Sequence, residues 1–361
     1  MPFSPTAPPD APQRILIARL GAMGDVLHAL PAVTALRVAL PSAEIAWVVE
    51  PRWSALLRAD SAAANAERTV AMPVVSRIFL AAAKRWSRAP LAPRTLGEIR
   101  TLAREMRREK YDLAIDLQGA VRSGFIARLA RPGRLVGEES PREPIARHLF
   151  DQRVATKGVH VVEQALEVTS AAVGIALPMV APFLPIDVDA ERWRDNVVSN
   201  TRYVVINPGA GWGAKRWPAD RYAQVARALA ERGCQVFINA SAEEAELGNT
   251  VAVASGGSAR LLVCSIGELT SLLRRASLFV GGDTGPLHLA AALQRPCVGI
   301  YGPTDPVRNG PFGTASRVLR HPESKRDHSR RDETEAGLMT ISSENVVAAA
   351  DDLLFETETR S

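Results

Sequence analysis

Two successive series of strand-like and helix-like segments constrain the fold of this chain more than any other feature. Short apolar segments typical of buried strands alternate with stretches whose apolar residues recur at helical spacing. In the first series, strands are predicted at 14–19, 44–49 and 111–116, with helices from about 25 and 121. Because strand and helix alternate, the expected sheet is parallel, with right-handed crossover connections.

The pattern restarts after a proline-rich segment, which carries Pro178, Pro182 and Pro185. The strands of the second series are predicted at 202–207, 235–239, 261–264, 278–281 and 296–301. A chain of 361 residues is long enough for two α/β domains of ordinary size. Ligands of such sheets bind beyond the carboxyl ends of the strands, so a ligand cleft is expected between the two domains.

The predicted organisation therefore has four parts. They are a loose leader over 1–13, an N-terminal Rossmann-like domain over 14–185, a C-terminal Rossmann-like domain over 186–342 and a closing helix over 343–357. The leader lacks the basic and apolar regions of a signal peptide, and no run of about 18 apolar residues predicts a membrane-spanning helix. The cysteines, Cys234, Cys264 and Cys297, lie far apart without metal-ligand spacing, which is typical of free thiols in a reducing compartment. We therefore expect a cytoplasmic protein.

Positive charge is concentrated in one segment. Residues 77–110 contain ten basic and three acidic side chains, whereas the net charge of the whole chain is only +5. Such a patch attracts phosphate groups, whether on nucleic acid, on anionic lipid or on a charged glycolipid. A solvated helical face is the alternative interpretation.

The sharpest local motif is the stretch Asp283–His288, which follows an apolar strand and two glycines and opens a helix. Free backbone N–H groups at such a turn bind anionic oxygens, and glycine allows the ligand to approach closely. His288, one turn into the helix, is positioned to add a donor to a diphosphate. An ordinary capped helix, with Asp283 or Thr284 as the N-cap, is the alternative.

Gly21, Gly24 and Asp25 form the corresponding motif in the first half. The spacing lacks the full dinucleotide fingerprint, which disfavours a nicotinamide site even though Glu50 ends the second strand. Asp25 stands at a helix N-terminus, where the helix dipole favours its charged form. An ionised carboxylate in a cleft is suited to act as general base towards a sugar hydroxyl, although a simple N-cap role is also open.

Further charged residues follow the strands of the second half. Lys215 and Arg216 end a glycine-rich loop that resembles an oxyanion cradle, and Glu243 and Glu244 follow the next strand. The pair Asp187 and Asp189 has the spacing of a metal-binding motif but lies in the proline-rich joint, so we interpret it as structural.

Together these motifs resemble glycosyltransferase family 9, the ADP-heptose:lipopolysaccharide heptosyltransferases. The most specific stretches are Met23–Pro31, Asp116–Gly124, Lys215–Pro218, Asp283–Leu293 and Tyr301–Pro306. The resemblance implies the GT-B architecture, in which two Rossmann-like domains with parallel sheets face an interdomain cleft. It also implies inverting transfer without a metal or other cofactor, from ADP-heptose to an anionic Kdo-lipid A acceptor. The expected location becomes the inner face of the inner membrane, with peripheral association; no nucleic-acid partner is expected, and the oligomeric state stays open.

The resemblance also implies roles for individual residues. Asp25 matches the catalytic base, and Lys84, Arg85, Arg122 and Arg142 match positions that hold the acceptor. The residues that match the donor site are Lys215, Glu244, Asp283, Thr284, Gly285 and His288.

The subtype is mixed. The first half and Tyr301–Pro306 resemble heptosyltransferase I, which adds the first heptose to Kdo, and this is the predicted activity. The stretch Asn207–Pro218 resembles heptosyltransferase II, and Ala210 and Gly211 replace threonines of the type I enzymes, which shifts phosphate contacts to the backbone. Alternatives are heptosyltransferase II, another family 9 transferase, a nucleotide-sugar epimerase and a non-catalytic membrane-surface binding module.

Overall fold

The computed structural model describes residues 11–62, 69–199, 202–324 and 333–358. The chain divides into two compact units, Met1–Ile186 and Asp187–Ser361. Most of the predicted leader, and residues 325–332, lie outside the described residues.

Unit 1 is built on a six-stranded parallel sheet with the strand order β3-β2-β1-β4-β5-β6. Its strands are β1 (Arg14–Ala18), β2 (Glu44–Val49), β3 (Arg77–Leu80), β4 (Leu113–Asp116), β5 (Arg134–Glu138) and β6 (Gln152–Val154). Its helices are α1 (Met23–Ala39), α2 (Ala83–Trp86), α3 (Pro93–Arg108), α4 (Val121–Leu129) and α5 (Val161–Val173), with short 3-10 helices at Pro51–Leu56 and Pro144–Leu149.

Apolar side chains explain how these elements pack. Along α1 almost every residue is buried, and this helix packs against α5. A second cluster joins α3 and α4 to the sheet through Leu102, Met106 and Ile126, which pack with strand residues such as Leu16 and Val48. The amphipathic α3 buries only one stripe, so its arginines remain on the outer side.

Unit 2 repeats the architecture with the strand order β12-β11-β10-β7-β8-β9, again all parallel. Its strands are β7 (Tyr203–Asn207), β8 (Gln235–Ala240), β9 (Ala259–Val263), β10 (Leu278–Gly282), β11 (Cys297–Tyr301) and β12 (Ser316–Arg320). Its helices are α6 (Val188–Val197), α7 (Ala219–Glu231), α8 (Ala245–Ala254), α9 (Ile266–Arg274), α10 (Gly285–Ala292), α11 (Pro306–Asn309), α12 (Ala336–Thr340) and α13 (Ser343–Glu358), with 3-10 helices at Gly213–Lys215 and Ala242–Glu244.

The last helix, α13, closes the core of unit 2. Val346, Ala350 and Leu353 pack with residues of α7 and of the central strands. The Trp217 indole donates a hydrogen bond to the Ile341 carbonyl at 3.0 Å and so anchors the segment before the helix. In the part of the chain that the structure describes, no helix has both the length and the apolar character needed to span a membrane.

The predicted α/β class with parallel sheets is confirmed, but four strands were not predicted. β3, β6 and β12 lie at sheet edges, and β5 is next to an edge. Each contains an arginine. β3, β6 and β12 have no run of buried residues and β5 has only three in a row, so they lack the longer apolar pattern of the central strands. β3 also occupies the start of the basic segment, where no strand was predicted.

Candidate functional site

Asp25 lies where β1 leads into α1. The helix begins at Met23, and Asp25 in its first turn accepts a hydrogen bond from the Ala22 backbone N–H at 2.8 Å. Its other carboxylate oxygen forms an ion pair with Arg19, at 2.8 Å from a guanidinium nitrogen. The carboxylate is therefore fixed in place, yet 35% of the side chain remains exposed. This combination of a held position and an open face is what a general base needs.

Arg19 is a site residue that the sequence reasoning missed. Its guanidinium also donates to the Asp25 carbonyl at 3.1 Å and to the Leu117 carbonyl, which follows β4. Because β1 and β4 are neighbours in the sheet, Arg19 ties the loops after both strands together. The sequence showed that a basic residue ends a mostly apolar strand segment, but it gave no indication of the partners of that residue.

The loop after β4 is organised by Asp116. One of its carboxylate oxygens accepts the backbone N–H groups of Gln118 and Gly119, each at 2.8 Å. Burial raises the pKa of Asp116, although hydrogen bonds from Ser123, Gly119 and Gln118 oppose that shift. The Gln118 side chain in turn accepts the Leu20 N–H at 2.8 Å, so the loops after β1 and β4 are joined a second time.

Arg122 and Arg142 are brought to the same edge of the sheet. The Glu143 carboxylate accepts the Val121 N–H at the start of α4, and the Glu143 N–H donates to the Gly119 carbonyl, both at 2.8 Å. Both arginines are exposed. Gly119 has a φ of +65°, and a Cβ there would lie 2.9 Å from the Arg142 backbone nitrogen.

Lys84 and Arg85 are exposed on the short helix α2. The Lys84 backbone N–H donates to the Glu50 carboxylate at 2.7 Å, and the Glu50 N–H donates to the Leu20 carbonyl at 3.0 Å. Glu50 therefore anchors α2 beside the loop after β1, whereas Arg85 is engaged in an ion pair with Glu98.

In unit 2, Lys215, Asp283 and His288 form one buried cluster. The Lys215 ammonium pairs with the Asp283 carboxylate and lies 4.3 Å from the centre of the Trp212 ring. The His288 Nε2 is 3.1 Å from the other oxygen of Asp283. All three side chains are at most 10% exposed, although they come from loops after two neighbouring strands, β7 and β10, and from α10.

Asp283 is ionised in this cluster. Burial alone raises the pKa of this carboxyl, but the hydrogen bond with His288 and the positive charge of Lys215 outweigh burial and hold the pKa well below its usual range. The carboxylate consequently orients two cationic or hydrogen-donating groups at the edge where an anionic ligand of unit 2 is expected.

The turn into α10 leaves backbone donors available. Thr284 is the N-cap, but its hydroxyl donates to the Gly282 carbonyl at 3.3 Å and makes no capping bond to the helix. Gly285 is the first helical residue. Gly282, expected within the turn, instead ends β10, because the strand continues its parallel pairing with β11 to that residue. The first N–H groups of α10 are thus not capped by the Thr284 side chain.

Glu244 lies across the ends of β7 and β8. Its carboxylate accepts a hydrogen bond from the Ser241 hydroxyl at 3.1 Å and covers the Cα of Gly209. A Cβ at position 209 would come within 2.6 Å of the Glu244 Cδ. Glycine at position 209 is therefore required for this placement of Glu244.

Asp187 and Asp189 are structural, as the sequence indicated. The Asp187 carboxylate caps α6 by accepting the Asp189 N–H at 3.0 Å, and Asp189 pairs with Arg192 at 2.9 Å. Within the described ranges, no group of three or more His, Cys, Asp or Glu side chains is arranged to hold a metal ion.

Comparisons with known proteins agree with one another. The model of glycosyltransferase family 9 (heptosyltransferase) matches residues 99–339. Lipopolysaccharide heptosyltransferase 1 of Pseudomonas aeruginosa is 30% identical over 305 residues, which cover 83% of this chain and 81% of that protein. Lipopolysaccharide heptosyltransferase 2 of Salmonella typhimurium is 31% identical over 245 residues, which cover 62% and 69%. The structure of E. coli heptosyltransferase WaaC with ADP superposes with a TM-score of 0.77 at 26% identity, covering 94% of this chain and 99% of that one.

Proposed function

The chain belongs to glycosyltransferase family 9, with the GT-B fold, and we propose that it transfers L-glycero-D-manno-heptose from ADP-heptose to the Kdo of the lipopolysaccharide inner core. In this proposal it acts as a heptosyltransferase I, inverts the anomeric centre and uses no metal or other cofactor. The observation that carries the proposal is the convergence of Lys215, Asp283 and His288 in one buried cluster at the carboxyl ends of β7 and β10.

Unit 2 binds the donor in this account. An ADP leaving group gains negative charge as the glycosidic bond breaks, and fixed donors lower the barrier to that step. Lys215, His288 and the backbone N–H groups of Thr284 and Gly285 supply positive charge and hydrogen bonds. Asp283 keeps the Lys215 and His288 side chains in position. The Glu244 carboxylate accepts hydrogen bonds from the hydroxyl groups of the nucleoside ribose.

Unit 1 binds and activates the acceptor. The Asp25 carboxylate takes the proton of the acceptor hydroxyl as its oxygen bonds to the anomeric carbon of the heptose. At the same time, the bond from that carbon to the β-phosphate oxygen breaks, and ADP leaves from the opposite face. Lys84, Arg85, Arg122 and Arg142 hold the negative groups of the Kdo-lipid A acceptor, and Arg19 holds Asp25.

Two observations support type I over type II. Heptosyltransferase 1 of Pseudomonas aeruginosa combines 30% identity with 83% coverage of the chain. The type II relatives reach 31% identity over only 62% of the chain (Salmonella typhimurium) or cover 94% at only 25% identity (Haemophilus influenzae). The other is the resemblance of the first half and of Tyr301–Pro306 to the type I enzymes. The second candidate function is heptosyltransferase II, which the stretch Asn207–Pro218 favours. Both activities use a membrane glycolipid, so we also propose a cytoplasmic enzyme that associates peripherally with the inner face of the inner membrane.

The test is ADP release by the purified protein with ADP-L-glycero-β-D-manno-heptose. Release that requires Kdo-lipid A supports type I, whereas release only with an acceptor that already carries one heptose supports type II. No release with either acceptor would contradict the proposed function. Epimerisation of the donor without acceptor would instead identify a nucleotide-sugar epimerase.

A further inference from the structure

One face of unit 1 is a layer of three helices lying side by side. The Arg107 side chain donates to the Leu129 carbonyl at 2.8 Å and so joins α3 to α4. The Arg128 side chain donates to the Leu149 carbonyl at 2.8 Å and joins α4 to the 3-10 helix at Pro144–Leu149. Apolar residues on the inner side of all three pack into the same core cluster, so their other sides are exposed together.

The outer side of α3 carries positive charge that ion pairs do not neutralise. Four of its exposed arginines make no ion pair among the described residues; they are Arg100, Arg104, Arg107 and Arg108. Two acids of the same segment are already engaged, since Glu98 pairs with Arg85 and Arg94 and Glu109 pairs with Arg77. Glu105 is the one acid of α3 left exposed without an ion pair among the described residues.

The four arginines border a groove with an apolar floor. With Ile99, Ala103 and Leu129 they line a shallow space of about 520 Å³ between α3 and α4. A cationic rim above an apolar floor matches an amphiphile that has a phosphate headgroup.

Exposed apolar side chains continue the same face. Phe125 on α4 is 52% exposed, and Ile145 on the 3-10 helix is 72% exposed. Single exposed apolar residues are ordinary, and unit 1 has others, such as Val38 on α1. What distinguishes Phe125 and Ile145 is their place in the layer that carries the unpaired arginines.

We propose that unit 1 docks on an anionic bilayer through this arginine face, defined by Arg100, Arg104, Arg107, Arg108, Phe125 and Ile145. The arginines contact lipid phosphates, and Phe125 and Ile145 enter the headgroup region. The proposal rests on the proposed function only in that the acceptor is a membrane glycolipid. Arg122, assigned to that acceptor, lies one turn before Phe125 on α4, so docking by this face presents the site at the membrane surface.

The first experiment is flotation of the whole protein with vesicles. Binding is expected to phosphatidylcholine vesicles that contain about one third phosphatidylglycerol, to decrease with salt, and to be absent for pure phosphatidylcholine. Replacing Arg100, Arg104, Arg107 and Arg108 with Gln is expected to lower the partition coefficient by at least about tenfold. The control replaces four exposed arginines of unit 2, which gives the same change in charge; they are Arg192, Arg232, Arg260 and Arg275.

The apolar contact is tested separately. Phe125→Cys, labelled with an environment-sensitive dye in a Cys264→Ser background, is expected to shift its emission to the blue with anionic vesicles. Cys234 and Cys297 are buried and should not label in the folded protein. Val38→Cys is the matched control, and its emission should not move.

Several results would overturn the docking proposal. They are equal binding by the wild type and the Arg-to-Gln variant, equal loss in the unit 2 control, and an unchanged Phe125 label. Self-association that Phe125→Ser abolishes, without any vesicle binding, would show an interface between copies instead. Heptose transfer to a detergent-dispersed acceptor separates the docking proposal from the proposed function. The Arg-to-Gln variant should retain this transfer, because it does not need a bilayer. A wild-type protein that binds vesicles but is inactive in this assay would leave the docking proposal intact and refute the proposed function.

Discussion

At the residue scale, Glu244 keeps its position because residue 209 has no side chain. The Glu244 carboxylate occupies the space that a Cβ at position 209 would need. The neighbouring Gly211 has no atom within 4 Å of the corresponding position. The two glycines of this loop therefore differ in what an added methyl group would do: it would displace Glu244 at position 209 but would meet no atom at position 211.

Gly209→Ala is predicted to weaken donor binding. The added methyl group displaces Glu244, so KM for ADP-heptose should rise by about tenfold, the loss of one charge-assisted hydrogen bond, while kcat changes less. Steady-state kinetics and titration with ADP measure the effect. Gly211→Ala is the control and should bind ADP as the wild type does; an equal loss in both variants would contradict the role given to Glu244.

Asp283 also has a defined energetic role. Its ionised carboxylate neutralises Lys215 in a buried cluster, and removing one partner of such a pair leaves the other charge without compensation. Asp283→Asn should therefore lower the free energy of unfolding by about 3 kcal/mol at pH 7. Urea unfolding of both proteins, followed by circular dichroism, measures this difference.

The pH dependence of folding stability follows from the direction in which the pKa of Asp283 is shifted. The pKa of Asp283 is lower in the folded state than in the unfolded state, where it is about 3.9. The ionised carboxylate therefore makes its full contribution to folding stability at every pH above that unfolded-state pKa. This stability is lost only as the pH falls towards the folded-state pKa. The stability difference between wild type and Asp283→Asn should therefore persist at pH 5, where the carboxyl is still ionised. A difference that disappears by pH 5 would mean that the carboxyl is not held ionised.

The sequence placed Lys215, Asp283 and His288 on the donor side, and the structure shows them in contact. Their ion pair was not predictable from spacing, because 68 residues separate Lys215 from Asp283 and loop geometry alone brings them together. Arg19 was missed for a similar reason. Its partners, Asp25 and the Leu117 carbonyl, are defined only once β1 and β4 are paired in the sheet.

At the scale of elements, the loop after β4 positions the proposed acceptor arginines. Asp116 fixes its first residues, and Glu143 joins it to the segment that carries Arg142. Gly119 lies at the centre of this arrangement, with a left-handed backbone, and a Cβ there would lie 2.9 Å from the Arg142 backbone nitrogen.

Gly119→Ala is predicted to raise KM for the acceptor by several-fold, with little effect on ADP affinity. The substitution adds backbone strain of about 1 kcal/mol and pushes the segment of Arg142 away from α4. Gly174→Ala is a matched control, since Gly174 has a φ of +69° but no atom within 4 Å of the position that a Cβ would take. If both variants change acceptor KM equally, the strain alone is responsible and the positioning role is wrong.

The central elements were predictable because their cores are strongly apolar. β1, β2, β7 and β10 are nearly continuous buried strands, and glycines stand in the turn after β1 and at the end of β10. The edge strands β3, β6 and β12 have no such pattern, since pairing with a neighbour places their charged residues at the rim of the sheet.

At the scale of the whole molecule, two sheets of the same type present different groups of side chains at their carboxyl edges. Unit 1 presents a carboxylate, Asp25, and exposed arginines at the carboxyl edge of its sheet. Unit 2 presents a buried Lys215–Asp283–His288 cluster and uncapped helix donors at its own edge. This difference fits the proposed division, in which one unit activates the acceptor and the other binds the donor. The position of these side chains after strands was predictable, because the motifs follow strands in both halves.

The most direct test of the account compares wild type with Asp25→Asn in acceptor-dependent ADP release. Asn has nearly the same shape and can still accept the Ala22 N–H, but it cannot take a proton. The account predicts that kcat falls by about a thousandfold, within the range for loss of a general base, while ADP-heptose binds unchanged. An Asp25→Asn enzyme that retains near wild-type kcat would contradict the assignment of Asp25 as the base and, with it, the proposed mechanism.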